Sequence, residues 1–281
     1  MSRIYDDRAC FLGEGALWHP LRNQLFWFDI INKRLMSQSS AGPLVWQFDE
    51  IHSAAGWVDA DRLLIASETG LWVFDIATGS RRLVTALEAD RPDTRCNDGR
   101  ADPMGGFWIG TMGKSAEAGA GSIYRYYRGE LRKLVAGLSI PNAICFAPDG
   151  RTAYYTCTLT GQILRLGLDT QGWPVGQAEV HIDLRAEGLN PDGAVTDAEG
   201  NLWNAQWGAG RVACYRPDGS FAHAVSVGGV HSSCPAFGGA DLTTLFVTTA
   251  QEGLDAPTSG DGLVYSVTGA GQGRPEPQVV I

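Results

Sequence analysis

The 281-residue chain holds no run of about 18 apolar residues, the length that a membrane-crossing helix needs. No stretch keeps a helical hydrophobic period over three turns, which argues against a helical bundle. Basic charge is short: Lys and Arg number 22 against 31 Asp and Glu, a net charge of -9. Nucleic acids and anionic membrane surfaces are bound by basic faces, so neither is an expected partner. The six cysteines (Cys10, Cys96, Cys145, Cys157, Cys214 and Cys234) are scattered, without a Cys-x-x-Cys pair for zinc or redox work. Several catalytic signatures are missing as well. There is no Gly-x-Ser-x-Gly nucleophile elbow, no His-x-x-x-His metalloprotease spacing and no EF-hand loop. Gly113-Lys114-Ser115 lacks the upstream glycine of a phosphate-binding loop. The opening stretch, Met1 to Arg8, carries charges where a signal peptide needs an apolar segment. A cytoplasmic location with reduced, buried thiols is therefore the expectation.

What the chain does have is glycine, 36 residues of it, and an apolar fraction of 44%. Six short strand phrases recur: Leu25–Asp29, Leu63–Ser67, Phe107–Thr111, Ala153–Cys157, Leu202–Gln206 and Leu245–Thr249. Their starts lie 38 to 49 residues apart. Turn chemistry precedes most of them, as in Val58-Asp59-Ala60-Asp61 and Ala147-Pro148-Asp149-Gly150. A second β-branched or aromatic strand follows each, usually opened by glycine, as at Gly70–Asp75 and Gly121–Tyr126. A multi-strand unit of 40 to 50 residues is the period of a propeller blade. Six copies fill the chain, so the predicted fold is all-β, a six-bladed β-propeller forming one domain over residues 1–281. Ile4-Tyr5 and Gln278-Val279-Val280 are the expected ring-closing strands.

In a propeller, residues at equal phase in the repeat converge on the central axis. About ten positions ahead of the six phrases stand Glu14, His52 with Ser53, Asn97, Asn142, Asp192, and Cys234 with Pro235. Four of these slots carry carboxylate or amide oxygens, the donors preferred by a hard divalent cation. Asp-Gly is also a hairpin signal. Pro148-Asp149-Gly150 and Pro217-Asp218-Gly219 read as turns on their positions. Pro191-Asp192-Gly193 lies too far ahead of its strand for that, and Asn97-Asp98-Gly99 is displaced in the same way. For Glu14 and Asn142, phase alone leaves an exposed loop carboxylate and a satisfied buried amide open. His52 and Trp207 are candidate wall residues.

Gly13-Glu14-Gly15-Ala16-Leu17-Trp18, Arg95-Cys96-Asn97-Asp98-Gly99, Gly110-Thr111-Met112, Pro141-Asn142-Ala143 and Pro191-Asp192-Gly193 together resemble one family. It is that of the gluconolactonases, regucalcin (senescence marker protein) and luciferin-regenerating enzyme. The resemblance implies a six-bladed propeller with one divalent metal ion at the channel mouth. Calcium is favoured, with zinc, magnesium or manganese as alternatives. By position it implies Glu14, Asn142 and Asp192 as metal ligands and Arg95 and Asn97 as substrate-binding residues, with Asn97 close to the metal. The implied activity is hydrolysis of a sugar lactone to the aldonic acid, with Asp192 as the base that takes a proton from water. Two other readings use the same fold: a calcium-binding regulatory protein without significant catalysis, and a propeller esterase or organophosphatase. Animal members carry an acidic substrate contact shortly after Gly-Thr-Met; here Lys114-Ser115-Ala116-Glu117 occupies that place, and the acid is displaced or missing.

Overall fold

A computed structural model describes residues 1–281. It contains no α-helix, only a single 3-10 turn at Thr158–Thr160. The strands form six four-stranded antiparallel sheets, arranged as the blades of a β-propeller. Blade 1 runs inner to outer through Gly13–His19, Gln24–Asp29, Arg34–Ser39 and Gly42–Gln47. The inner strands of blades 2 to 5 are His52–Trp57, Thr94–Ala101, Pro141–Phe146 and Asn190–Thr196. In blade 6 the chain supplies the three inner strands, His231–Gly238, Thr244–Ala250 and Val264–Thr268. The fourth, outer strand is Arg3–Asp6, with Arg3 opposite Ser266 and Ile4 opposite Tyr265. The N-terminal strand therefore joins the last three strands of the chain in one sheet and closes the ring.

Each phrase read from the sequence is the second strand of its blade. The turns before five of these strands are held by an Asp whose carboxylate accepts backbone N–H groups. Asp102 takes Met104 at 2.8 Å and Gly106 at 3.0 Å, and Asp197 takes Glu199 and Asn201, both at 2.9 Å. Asp59, Asp149 and Asp241 do the same with the residue two positions on. This side-chain mimicry of a backbone turn is why Asp recurs there.

The apolar interior is not a central ball. It is six wedges, each between neighbouring blades. Phe26, Phe28 and Leu35 of blade 1 pack on Leu63, Ile65 and Phe74 of blade 2. Trp108 and Ile123 of blade 3 pack on Phe146, Tyr155 and Leu166 of blade 4. The inner strands are left to line the axis, where polar groups are tolerated. All six cysteines are buried and unpaired, as expected.

Gln278-Val279-Val280 is not a ring-closing strand. The outer slot of blade 6 is already filled from the N-terminus, so the C-terminal segment turns beneath the ring. There the Val279 N–H reaches Trp57 O at 2.9 Å and the Val280 N–H reaches Gly105 O at 2.8 Å. Val279 itself is buried in the wedge between blades 2 and 3.

Candidate functional site

All six inner strands break register with their neighbours at the same phase. The breaks fall between Glu14 and Leu17, His52 and Ala54, Cys96 and Gly99, Asn142 and Cys145, Pro191 and Ala194, and Ser232 and Pro235. A bulge of this kind inserts an unpaired residue and re-aims side chains. It releases residues from the wedges and points them toward the axis. The glycines beside them are demanded by space and by backbone. A Cβ on Gly193 would stand 2.7 Å from Ser233 O and 2.9 Å from Cys234 Cα, and Gly15 sits at φ +59° against the Ser53 carbonyl.

At the end of the channel where the bulges lie there is a cavity of about 460 Å³. Glu14, Arg95, Asn97, Asn142 and Asp192, from four different blades, all line it. Each is buried apart from its cavity face. Asn97 joins two blades: its Nδ2 donates to Asn142 Oδ1 and to Pro141 O, both at 3.0 Å, and its Oδ1 accepts from Arg95 Nη1 at 2.9 Å. Asn142 Nδ2 donates to Thr158 Oγ1 at 2.9 Å, and Thr158 donates onward to Pro191 O at 2.8 Å. The amide oxygens are thereby oriented before anything binds.

The carboxylates are not neutralised. One oxygen of Glu14 accepts the Gly15 N–H at 2.8 Å, and no cationic side chain pairs with either Glu14 or Asp192. Burial, and then the charge of Asp98 just below, push Glu14 up to about 8. Burial, followed by repulsion from Glu14 and Asp98, raises Asp192 well above the usual carboxylate range. Asp98 is itself lifted to about 6 by burial, with Arg100 and the Ile144 N–H holding it down. Burial also lowers Arg95. Acids that resist ionisation when empty and share a mouth with oriented amide oxygens fit a hard, oxygen-seeking divalent cation. No group of three or more His, Cys, Asp or Glu converges here or elsewhere. A cation at this mouth would therefore draw part of its coordination from amide oxygen.

His52, expected at the wall, is not there. Its ring lies tilted against Phe48 at 4.1 Å between centroids, its Nδ1 lies 3.1 Å from Glu50 O, and its Nε2 accepts from Arg81 Nη1 at 3.1 Å. Burial depresses it to about 3, and its role is to tie strands together. Trp207 does line the cavity. In the loop after Gly-Thr-Met, Lys114 reaches the cavity and pairs with Glu68. Glu117 curls back to accept the Ser115 N–H at 3.1 Å and contributes nothing to the lining.

Thr158 and Glu252 were not singled out from the sequence, whereas Asp98 stands in the displaced Asn97-Asp98-Gly99 run. A signal for the first two exists. Residues at or just past the end of each second strand sit opposite the start of the inner strand, as the pairing of Asn190 with Trp207 and of His231 with Ala250 shows. They form a second ring of equal phase beside the first.

Comparison with known proteins adds three relatives and one family. Residues 12–251 match the model of the SMP-30/Gluconolactonase/LRE-like region. An L-arabinolactonase of Azospirillum brasilense is 34% identical over 284 residues, covering 96% of this chain and 93% of that protein. A 6-deoxy-6-sulfogluconolactonase of Pseudomonas putida is 30% identical over 255 residues, with 89% and 87% covered. The crystal structure of a calcium-binding protein, regucalcin, from Agrobacterium tumefaciens superimposes with a TM-score of 0.97 at 41% identity, over 100% of this chain and 98% of that one.

Proposed function

The chain belongs to the SMP-30/Gluconolactonase/LRE-like family, and we propose that it hydrolyses a sugar lactone to the open aldonic acid with the help of one divalent cation. Calcium is the favoured ion, with magnesium, manganese and zinc as alternatives. The observation that carries the reading is the company the two carboxylates keep. The buried Arg95 guanidinium opens into the same cavity as Glu14 and Asp192 without pairing with either. A simple cation buffer gains nothing from a fixed positive charge beside its ion. A site that binds an oxygen-rich substrate does.

Glu14, Asn142 and Asp192 are the residues to hold the ion. When bound, it supplies a Lewis acid for the ester carbonyl and for the negative charge that grows on that oxygen. The remaining chemistry belongs to the chain. The Asp192 carboxylate accepts a proton from the attacking water as its oxygen bonds to the carbonyl carbon. When the bond to the ring oxygen breaks, the same carboxyl returns the proton to the departing alkoxide, and one water is consumed per ring opened. Arg95 and Asn97, already locked together, hold the substrate oxygens in register with Asp192, converting binding into proximity. Trp207 and Met112 keep bulk water from the flanks.

The test is acid release from a panel of γ- and δ-aldonolactones, with and without chelator. Turnover that is lost on chelation, and restored by a divalent ion, supports the proposal. Stoichiometric cation binding without turnover on any lactone would replace it with the binding-protein reading.

A further inference from the structure

Across the axis from Arg95 of blade 3 stands the wall built by blades 5 and 6. Trp207 ends the second strand of blade 5, and Glu252 follows the second strand of blade 6 by two residues. Both face the cavity. His231, the first residue of the blade 6 inner strand, fastens them to each other. Its ring stacks on the Trp207 indole at 4.2 Å between centroids and 21° between planes, and its Nδ1 lies 2.9 Å from Glu252 O. The Glu252 and Gln251 N–H groups both donate to Phe11 O at 2.9 Å, which fixes the backbone from the other side. The wall is therefore rigid, while its functional atoms are free. The Glu252 carboxylate makes no ion pair and no side-chain hydrogen bond, and the Trp207 N–H bonds to no protein group. Arg95 and Glu252 feel each other's charge without forming an ion pair.

Two opposite charges held apart across a cavity leave room for a neutral group that can serve both. A hydroxyl does so, because it donates to a carboxylate and accepts from a guanidinium. We propose that Glu252 and Trp207 form the subsite for the non-reacting part of the substrate, selecting neutral polyhydroxylated lactones. The Glu252 carboxylate takes the proton of a ring or side-chain hydroxyl, and the open face of Trp207 carries the apolar C–H face of the sugar, with His231 behind it as a positioning residue. The carboxylate also repels lactones that bear an anionic substituent at that end. The subsite stands in for the acid that the Lys114–Glu117 loop does not deliver. The inference rests on the lactonase reading above.

The experiment measures kcat and KM of wild type, Glu252→Ala, Glu252→Gln and Trp207→Leu. The substrates are L-arabinono-γ-lactone and D-glucono-δ-lactone, and the unsubstituted γ-butyrolactone and δ-valerolactone. Losing a hydrogen bond to a charged acceptor is worth roughly 10- to 100-fold. Glu252→Ala is expected to raise KM for the better sugar lactone by that factor with a smaller fall in kcat. The preference for sugar over unsubstituted lactone should collapse in parallel, and Glu252→Gln should recover part of the loss, since its amide oxygen still accepts. An unchanged KM for the sugar lactone in a folded Glu252→Ala protein overturns the subsite, and so does an equal loss on all four lactones. Absence of wild-type turnover on every lactone is a different failure, of the lactonase reading itself.

Discussion

The two ends of the channel are made from the same six strands and treat charge in opposite ways. At the upper mouth Glu14, Asp192, Glu252 and Arg95 are buried or half-buried, and none forms an ion pair. At the lower end the C-terminal segment crosses beneath the ring and pairs with it. Glu276 pairs with Arg100, and its carbonyl accepts from Trp57 Nε1 at 2.7 Å. Arg274 donates to Phe146 O at 2.8 Å and Thr196 Oγ1 at 2.7 Å, and Gln278 donates to Val58 O at 2.6 Å. One inner strand, Thr94–Ala101, carries both kinds of arginine. Arg95 and Arg100 are five residues apart and equally buried, at 7% exposed each. What separates the two arginines is whether the protein itself supplies the opposite charge.

The largest effects should fall at the unpaired end, on activity. Asp192→Asn is expected to cut kcat by about 10²- to 10⁴-fold, the usual worth of general acid–base help. In chelator-treated protein its melting temperature should hold or rise, because a carboxylate that burial and Glu14 both penalise has been removed. Arg100→Met is the mirror image. It leaves Glu276 buried without its cation, at a cost of about 3–5 kcal/mol by denaturant titration. Turnover per folded molecule, at a temperature where circular dichroism shows native structure, should stay near wild type. Loss of turnover in folded Arg100→Met protein would break the division between the two ends.

The division was legible in the sequence at one end only. The upper residues sit at one phase of a repeat that the strand phrases announce, and Asp192 stood out because the turn slot ahead of Leu202 was already filled by Asp197 to Gly200. His52 shared that phase and misled, since phase fixes where a backbone position lies and not which way its bulge turns the side chain. Here Arg81 and Phe48 drew the imidazole aside. The lower strap was not legible at all. Gly271 to Val280 carries no period, no alternation and two prolines, and what places it is long-range pairing with Arg100, Trp57 and Gly105. Glu252 escaped for another reason: its blade has neither an acid nor an amide in the first ring of slots, so nothing drew attention to its rim.

A moderate effect concerns pH. Glu14 ionises near its ordinary 4.5 in the unfolded chain and only at about 8 in the folded, cation-free protein. Folded-state proton binding is the stronger, so the stability it contributes is complete below the unfolded value and is lost as pH rises toward 8. Asp192 acts in the same direction. Chelator-treated protein should therefore lose melting temperature between about pH 5 and 8. Saturating divalent cation should abolish the slope, because it favours the ionised carboxylates, and Glu14→Gln should flatten it without any cation. A slope of opposite sign in chelator would mean that the mouth carboxylates are neutralised from within the protein, as at the lower end.

The smallest effect is expected at Lys114, which tests whether pairing rather than location sets the role. Lys114 lines the same cavity as Arg95, yet its ammonium pairs with Glu68, whose Oε1 also accepts the Ile51 N–H at 3.0 Å. By the rule drawn from the two ends, a partnered charge at the mouth should behave as wall. Its side chain is 39% exposed, so water screens the pair and its loss should cost less than about 1 kcal/mol. Lys114→Met is then expected to shift kcat/KM on a neutral aldonolactone by less than about fivefold, the same energy expressed as a rate. Glu68→Gln, which frees the ammonium, should do no more on that substrate, but should improve relative turnover of a lactone carrying a carboxylate, since a second unpaired cation then faces the cavity. A hundredfold loss in folded Lys114→Met protein would show that the loop reaches the substrate through its cation, and location in the mouth, not the absence of a partner, would then mark a residue as functional.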